Sequence, residues 1–149
     1  MPLMNSTFQD QLAIHGQIVY PNKGDSMMPL LRQHRDLMVI DWKGERRCKK
    51  YDAVLYHHPG GEYILHRVLK VKKGEYVLCG DNRWVREYGV KEEWVIGILT
   101  AVVRDGKELS AASWKYRLYA HWCVDFYYLR AAKMRLYVLA KGVIRKLRR

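Results

Sequence analysis

The chain has 149 residues, of which 27 are basic, 15 are acidic and 49% are apolar. This length fits one domain with a sizeable core, and the apolar fraction excludes an intrinsically disordered chain. The three cysteines, Cys48, Cys79 and Cys123, form no CxxC pair, so the sequence predicts reduced thiols and neither a disulfide framework nor a structural zinc site.

The first predicted elements are one short helix and six strands. The helix covers residues 5–14, with Asn5 or Ser6 as its N-cap. Its inward-facing residues are expected to be Phe8, Leu12 and Ile14. The strands are rich in Val, Ile, Leu and Tyr and are separated by turn signals, and they are predicted at His15–Tyr20, Asp36–Trp42, Tyr51–His57, Glu62–Val71, Glu75–Cys79 and Trp94–Arg104. Short strands with tight turns favour a mainly β fold, either a small coiled β-sheet or a partly closed barrel.

The last quarter of the chain has a different composition. Residues 1–112 contain 17 basic and 14 acidic residues, a balance of +3, whereas residues 113–149 contain 10 basic residues and one acid, a balance of +9. Apolar residues recur there at helical spacing with basic residues between them, namely Leu118, Trp122, Phe126, Leu129, Leu136, Val143 and Leu147. The pattern predicts one long helix or two shorter ones with a basic outer face. We therefore divide the chain into a β domain, 1–112, and a basic amphipathic helical tail, 113–149.

A serine in a glycine-containing turn is the first candidate for chemistry. Ser26 lies in Gly24-Asp25-Ser26-Met27-Met28-Pro29, directly after a predicted strand. Such a turn can present the hydroxyl outward and leave backbone N–H groups free to bind an oxyanion. The alternative is that Ser26 caps a short helical turn, which the local sequence by itself favours.

Two further candidates are a histidine in a strand and an aspartate after one. His66 shares a strand face with Ile64 and Val68, so it is either a satisfied core histidine or a neutral general base. Asp81 either orients an imidazole or forms an Asx-turn with Asn82.

Three motifs in this order resemble the peptidase superfamily of signal peptidases and LexA-type repressors. They are Gly24-x-Ser26-Met27-x-Pro29, the strand with His66-Arg67, and Gly80-Asp81-Asn82-Arg83. The segments Asp36-Leu37-Met38-Val39 and Tyr51-Asp52-Ala53-Val54-Leu55 are similar to the family's acid-then-apolar strands. The resemblance runs from about Lys23 to Arg104, which is more than half of the chain.

The resemblance implies a β-sheet fold of the LexA and signal-peptidase type with Ser26 as the nucleophile. His66 stands where bacterial signal peptidases have a lysine base, as in the Ser-His signal peptidases of the endoplasmic reticulum and archaea. It further implies that Asp81 orients the imidazole, helped by Glu87 at the family's second acidic position. The oxyanion and substrate are then expected to contact the backbone of Asp25, Ser26 and Met27.

The expected function is therefore that of a serine endopeptidase acting on a peptide or protein substrate through a Ser-His(-Asp) mechanism. No cofactor is expected, and no metal site, because His57 and His58 alternate across a strand and cannot both face one ion. The alternative is a non-catalytic binding or interaction module on the same fold, whose basic tail binds membrane or nucleic acid.

The basic tail, residues 113–149, has three alternative roles. Its aromatic rings and charge suit an anionic membrane surface. Its charge also suits nucleic acid, but no recognition motif accompanies it, so this alternative is weaker. The third alternative is a helix that covers an open face of the sheet, with its basic side solvated. Neither a signal peptide nor a transmembrane helix is predicted, so we expect a cytoplasmic protein that is peripheral at the membrane if the tail binds lipid.

Overall fold

The structure, a computed structural model, describes residues 7–148. Helices flank an extended run of strands along this part of the chain. In chain order the elements are α1 (Phe8–His15), β1 (Gln17–Pro21), β2 (Leu37–Trp42), β3 (Ala53–His57), β4 (Tyr63–Lys72), β5 (Glu75–Cys79), β6 (Glu87–Lys91), a 3₁₀ turn (Glu92–Trp94), β7 (Val95–Arg104), β8 (Lys107–Ser110), α2 (Trp114–Asp125) and α3 (Tyr127–Leu147).

The eight strands form one antiparallel sheet in the order β1-β2-β7-β3-β4-β5-β6, and β8 pairs with β7. Strand β7 is central because it pairs with β2 on one side and with β3 and then β8 on the other. Within residues 7–148, β1 and β6 each pair with a single strand, so the sheet is open. The predicted mainly β fold with C-terminal helices is confirmed, and the six predicted strands correspond to β1 to β5 and β7.

Helix α1 begins at Phe8, three residues after the predicted start, and buries fewer residues than expected. Its N-cap is Thr7, which forms a capping box, and the predicted caps Asn5 and Ser6 lie outside the described residues. Leu12 is fully buried, but Ile14 is 73% exposed. The prediction that Ile14 faces inward was wrong, because two residues along a helix rotate a side chain to the opposite side.

The hydrophobic core occupies both faces of the sheet. In β3 successive side chains point to opposite faces. Ala53 and Leu55 join a cluster covered by α1 and α2, whereas Val54 and Tyr56 join a second cluster built mostly by the strands themselves. All four side chains are buried, so β3 is a central strand with no solvated face.

The tail forms two helices, the second of the two predicted options, and they differ in their contacts. In α2 the buried residues include Tyr116, Ala120 and Cys123, and Tyr116 and Ala120 belong to the same core as α1. In α3 only the first turns are packed, through Tyr127 and Ala131 among others. From residue 135 to 148 every described side chain is exposed except at 142. The tail is thus partly core and partly a projecting helix.

The apolar row predicted from helical spacing is not the buried face of these helices. Leu118, Leu136, Val143 and Leu147 are all more than half exposed. The contact with the sheet is made instead by small and aromatic residues on the opposite side. The outer face therefore carries the apolar row, which was expected to be buried, as well as the predicted basic residues. None of the helices within residues 7–148 combines the length and apolar composition needed to cross a bilayer.

Candidate active site

Ser26 lies in a compact turn between β1 and β2. The side-chain amide of Asn22 spans this turn and donates to the carbonyl oxygens of Gly24, at 2.7 Å, and Leu31, at 3.2 Å. The N–H of Leu31 donates in turn to the carbonyl of Met27 at 2.9 Å. The buried Asn22 is a structural residue that the sequence analysis missed, although an amide just before the serine turn was visible there.

An ion pair holds the other end of the same turn. Arg104 donates to the carboxylate of Asp36 and also to the carbonyl oxygens of Pro29, at 3.3 Å, and Leu30, at 3.0 Å. Asp36, which is fully buried, also accepts from the N–H of Arg32 at 2.7 Å. The hydrogen bond from Arg104 holds the pKa of Asp36 below its usual value, so the carboxylate stays ionised and fixes the turn.

The turn after β5 lies directly against the serine turn. The N–H of Asn82 donates to the carbonyl of Ser26 at 2.7 Å, and its side-chain amide donates to the carbonyl of Asp25 at 3.1 Å. Arg83 forms an ion pair with Asp25 at 2.6 Å. Two motifs that are distant in sequence therefore meet at one place.

His66 reaches this place from β4 and is only 8% exposed. A Cβ added to Gly80 would lie 2.7 Å from the carbonyl oxygen of Ser26 and 3.1 Å from Nε2 of His66. Gly80 therefore lies between the imidazole and the backbone of the serine, where no larger residue fits without displacement. Within residues 7–148 no hydrogen bond joins Ser26 to His66, and in unliganded active sites such contacts often tighten only when substrate binds.

The other ring nitrogen of His66 faces Glu87, the first residue of β6. Nδ1 lies 2.8 Å from Oε1 of Glu87, which is an ion-pair distance, although the two are not aligned as a linear hydrogen bond. The hydroxyl of Tyr56 donates to the second carboxylate oxygen. Burial raises the pKa of Glu87, but the contacts with His66 and Tyr56 outweigh it, and the pKa lies below its ordinary value. Glu87 is thus ionised at neutral pH and able to stabilise an imidazolium.

Asp81 does not take the position that the resemblance implied. Its carboxylate receives two hydrogen bonds from Arg67, both 2.7 Å long, and one of 3.0 Å from the hydroxyl of Tyr119. Neighbouring residues of a strand point to opposite faces, so Arg67 and Asp81 lie on the face of β4 away from His66. The carboxylate expected beside the imidazole is that of Glu87 instead.

Arg67 is fully buried, and the C-terminal helices complete its surroundings. The rings of Tyr116 and Tyr119 lie 5.5 Å and 5.6 Å from its guanidinium carbon. Burial alone would lower the pKa of Arg67, but the charge of Asp81 more than compensates and keeps the pKa well above its usual value. From α3, Arg130 donates to the carbonyl oxygen of Asp81 at 2.5 Å. The helices therefore hold the turn that contacts Ser26.

An apolar groove of about 400 Å³ contains Ser26 in its wall. The large apolar side chains around it include Phe8, Tyr20, Met38, Leu55, Tyr63 and Leu65. The ring of Phe8, from α1, packs edge-on against Tyr20 and Tyr63 with centroid distances of 4.7 Å and 5.0 Å. A further recess along α3 is bounded by residues of that helix alone, so it is an open surface rather than an enclosed site.

The serine turn also provides donors for a developing negative charge. In the part of the chain that the structure describes, the N–H groups of Ser26 and Met27 make no hydrogen bond, and neither does the hydroxyl of Ser26. Ser26 therefore caps no helix. The third predicted residue, Asp25, instead holds the turn, because its carbonyl accepts from the N–H of Met28 at 3.1 Å.

Comparison with known proteins adds no further assignment to this geometry. Among residues 7–148, no three His, Cys, Asp or Glu side chains are grouped as metal ligands would be. No protein-family model matches the chain, and no curated protein sequence matches it.

Proposed function

We propose that the protein is a serine endopeptidase on a β-sheet of the LexA and signal-peptidase type. Ser26 is the nucleophile, His66 is the general base and Glu87 orients the imidazole. One observation carries this proposal: Nδ1 of His66 lies 2.8 Å from Glu87, while Nε2 lies toward Gly80, which contacts the backbone of Ser26. The carboxylate, the imidazole and the backbone of the serine thus lie next to one another, which supports the carboxylate–imidazole–hydroxyl order that activates a serine.

In the proposed reaction Oγ of Ser26 attacks the carbonyl carbon of the scissile bond while its proton passes to Nε2 of His66. The N–H groups of Ser26 and Met27 bind the oxyanion. The tetrahedral intermediate collapses, the C–N bond breaks, and the imidazolium gives its proton to the leaving amine. A water molecule, deprotonated by the same nitrogen, then hydrolyses the acyl-enzyme and Ser26 regains its proton.

The edge of β4 next to the groove supports an extended substrate. Strand β3 pairs with Tyr63–His66 on one side, whereas β5 pairs with β4 only from Arg67 onward. The second edge of Tyr63–His66 therefore pairs with no strand within residues 7–148. An extended peptide can add a strand to such an edge and place a side chain in the neighbouring groove. We propose as substrate an unfolded segment with an apolar residue near the scissile bond.

Labelling with a serine-directed acylating probe tests this function directly. We expect stoichiometric labelling of the native chain and none of the Ser26→Ala variant, because only an activated serine reacts with such probes. The Ser110→Ala variant, which removes a serine in β8, is the matched control and should be labelled like the native chain. Equal labelling of Ser26→Ala would refute the nucleophile, and an unlabelled native chain would favour the non-catalytic binding module.

The pH dependence of hydrolysis should identify the base and its partner. For a soluble peptide, kcat/KM should rise with pH as the general base of the proposed mechanism loses its proton. Glu87→Gln removes a carboxylate that favours the protonated imidazole. The midpoint of this rise should therefore move to lower pH, and the maximum rate should fall.

The control for this experiment is a lysine on the same strand. Lys70 is exposed, so Lys70→Ala should leave both the rate and the pH profile unchanged. A profile that rises only at alkaline pH, together with loss of activity in Lys70→Ala but not in His66→Ala, would reassign the base to lysine.

A further inference from the structure

The outer face of α3 carries an apolar stripe, which we define as Leu129, Leu136, Val143 and Leu147. All four side chains are at least half exposed, and Leu147 is 81% exposed. Their spacing of seven, seven and four residues keeps them within a narrow arc of an α-helix. The stripe is therefore a continuous surface about five turns long, estimated from the 3.6 residues of each turn.

The stripe points away from the rest of the molecule. Leu129 is two positions from both Tyr127 and Ala131, which are buried against the turn after β5. Two positions on a helix place Leu129 on the opposite side. Helix α2 shows the same arrangement, since its exposed row, Trp114, Leu118 and Trp122, is separate from its buried residues. Both helices therefore present apolar side chains to the solvent.

The charges of this helix indicate what covers the stripe. Between residues 133 and 148 there are six basic residues and no acidic residue, namely Lys133, Arg135, Lys141, Arg145, Lys146 and Arg148. A second copy of the chain docked on this helix would bring like charges together with no acid to compensate them. Nucleic acid would use the charge but leave the apolar stripe exposed. An anionic lipid surface satisfies both features.

We propose that α3 docks the protein on an anionic lipid bilayer, lying in the plane of the interface with its apolar stripe inserted. Lys133 and Lys146, which flank the stripe, contact the lipid phosphates, and the exposed aromatic rings of α2, Trp114 and Trp122, lie at headgroup level. Arg130, near the start of α3, donates to the carbonyl oxygens of Asp81 and Arg83. Docking therefore leaves the turn that contacts Ser26 on the side of α3 that faces away from the bilayer, about one helix diameter (~10 Å) from the inserted stripe.

Vesicle co-sedimentation of the full chain tests this proposal. The protein should bind vesicles of phosphatidylcholine with about one-third phosphatidylglycerol and bind pure phosphatidylcholine far less. The variant Leu136→Ser/Val143→Ser should bind at least roughly tenfold more weakly, because two inserted side chains are lost. The matched control is Tyr137→Ser/Val138→Ser, which alters two similarly exposed residues of the same helix outside the stripe and should bind within about threefold of the native chain.

A charge variant keeps the test decisive if the stripe variant does not fold. Lys133→Gln/Lys146→Gln should lose binding to anionic vesicles, as should the native chain when the screening length falls from ~10 Å at 0.1 M salt to ~3 Å at 1 M. Native protein that stays in the supernatant at low salt would overturn the proposal, as would equal losses in the stripe and control variants. A dimer that only the stripe variant abolishes, or salt-dependent binding to duplex DNA without vesicle binding, would assign the surface to those partners instead.

Discussion

Replacing Ser26 by alanine should lower kcat for a peptide substrate by about 10³-fold or more, and replacing His66 by alanine should lower it to a similar level. The double variant should be no worse than either single variant. The reason is that the two side chains act as one unit, because the hydroxyl is not activated without the imidazole and no acyl-enzyme forms for the imidazole to act on without the hydroxyl. The residual rate in all three variants reports the N–H donors of the serine turn, which the substitutions leave in place.

The measurement is a double-mutant cycle on kcat, with thermal unfolding of each variant as the control for folding. Ser26 is partly exposed and its hydroxyl makes no hydrogen bond in the described chain. Ser26→Ala should therefore change the free energy of unfolding by less than about 0.5 kcal/mol. Additive losses in the cycle would mean that Ser26 and His66 act independently, and they would contradict the proposed mechanism.

The sequence predicted the strands that consist of apolar runs between turn residues. It missed the two strands that have almost no buried side chains and are held by backbone hydrogen bonds to a neighbouring strand. Strand β6 contains Gly89 and has one buried residue, Val90, and β8 has none. Neither segment carries a hydrophobic period that distinguishes it from a loop. Both form because a neighbouring strand, β5 or β7, offers a free edge of peptide groups. That information lies in the tertiary structure.

The candidate site, like the sheet, could be predicted from the sequence only in part. Ser26 and His66 became candidates because each belongs to a motif, and the alternation of β4 separated His66 from Arg67 onto opposite faces. The choice between Asp81 and Glu87 depends on which face of β4 each carboxylate reaches. Asp81 follows β5, and its carboxylate accepts hydrogen bonds from Tyr119 of α2 and from Arg67 of β4. No local pattern contains the position of a helix almost forty residues later in the chain.

The tail illustrates a limit of hydrophobic periodicity. An apolar row on a helix predicts the buried face only when that helix packs through its most apolar side. Here α2 packs through Tyr116 and Ala120, and the ring and hydroxyl of Tyr116 lie against the buried Arg67. The periodic row of Leu118 and Trp122 is consequently left outside.

Replacing Asp81 by asparagine should destabilise the protein by about 3–5 kcal/mol, because it leaves the charge of Arg67 buried without a counter-ion. The side chains of Arg67 and Asp81 are 0% and 1% exposed, so water cannot solvate the unpaired guanidinium. A loss of this size is a large part of the 5–15 kcal/mol that typically stabilises a domain. Urea unfolding measures it. The control is Asp105→Asn, which removes the exposed pair with Arg35 and should cost about 0–1 kcal/mol.

The double variant Arg67→Met/Asp81→Asn should recover part of the stability lost in Asp81→Asn, because it removes the buried charge together with its partner. The same variants separate structure from catalysis. Asp81→Asn, at a temperature where it is folded, should keep the pH midpoint of the native rate profile, whereas Glu87→Gln should shift that midpoint with little loss of stability. If Asp81→Asn shifted the midpoint and left the free energy of unfolding unchanged, Asp81 rather than Glu87 would be the partner of His66.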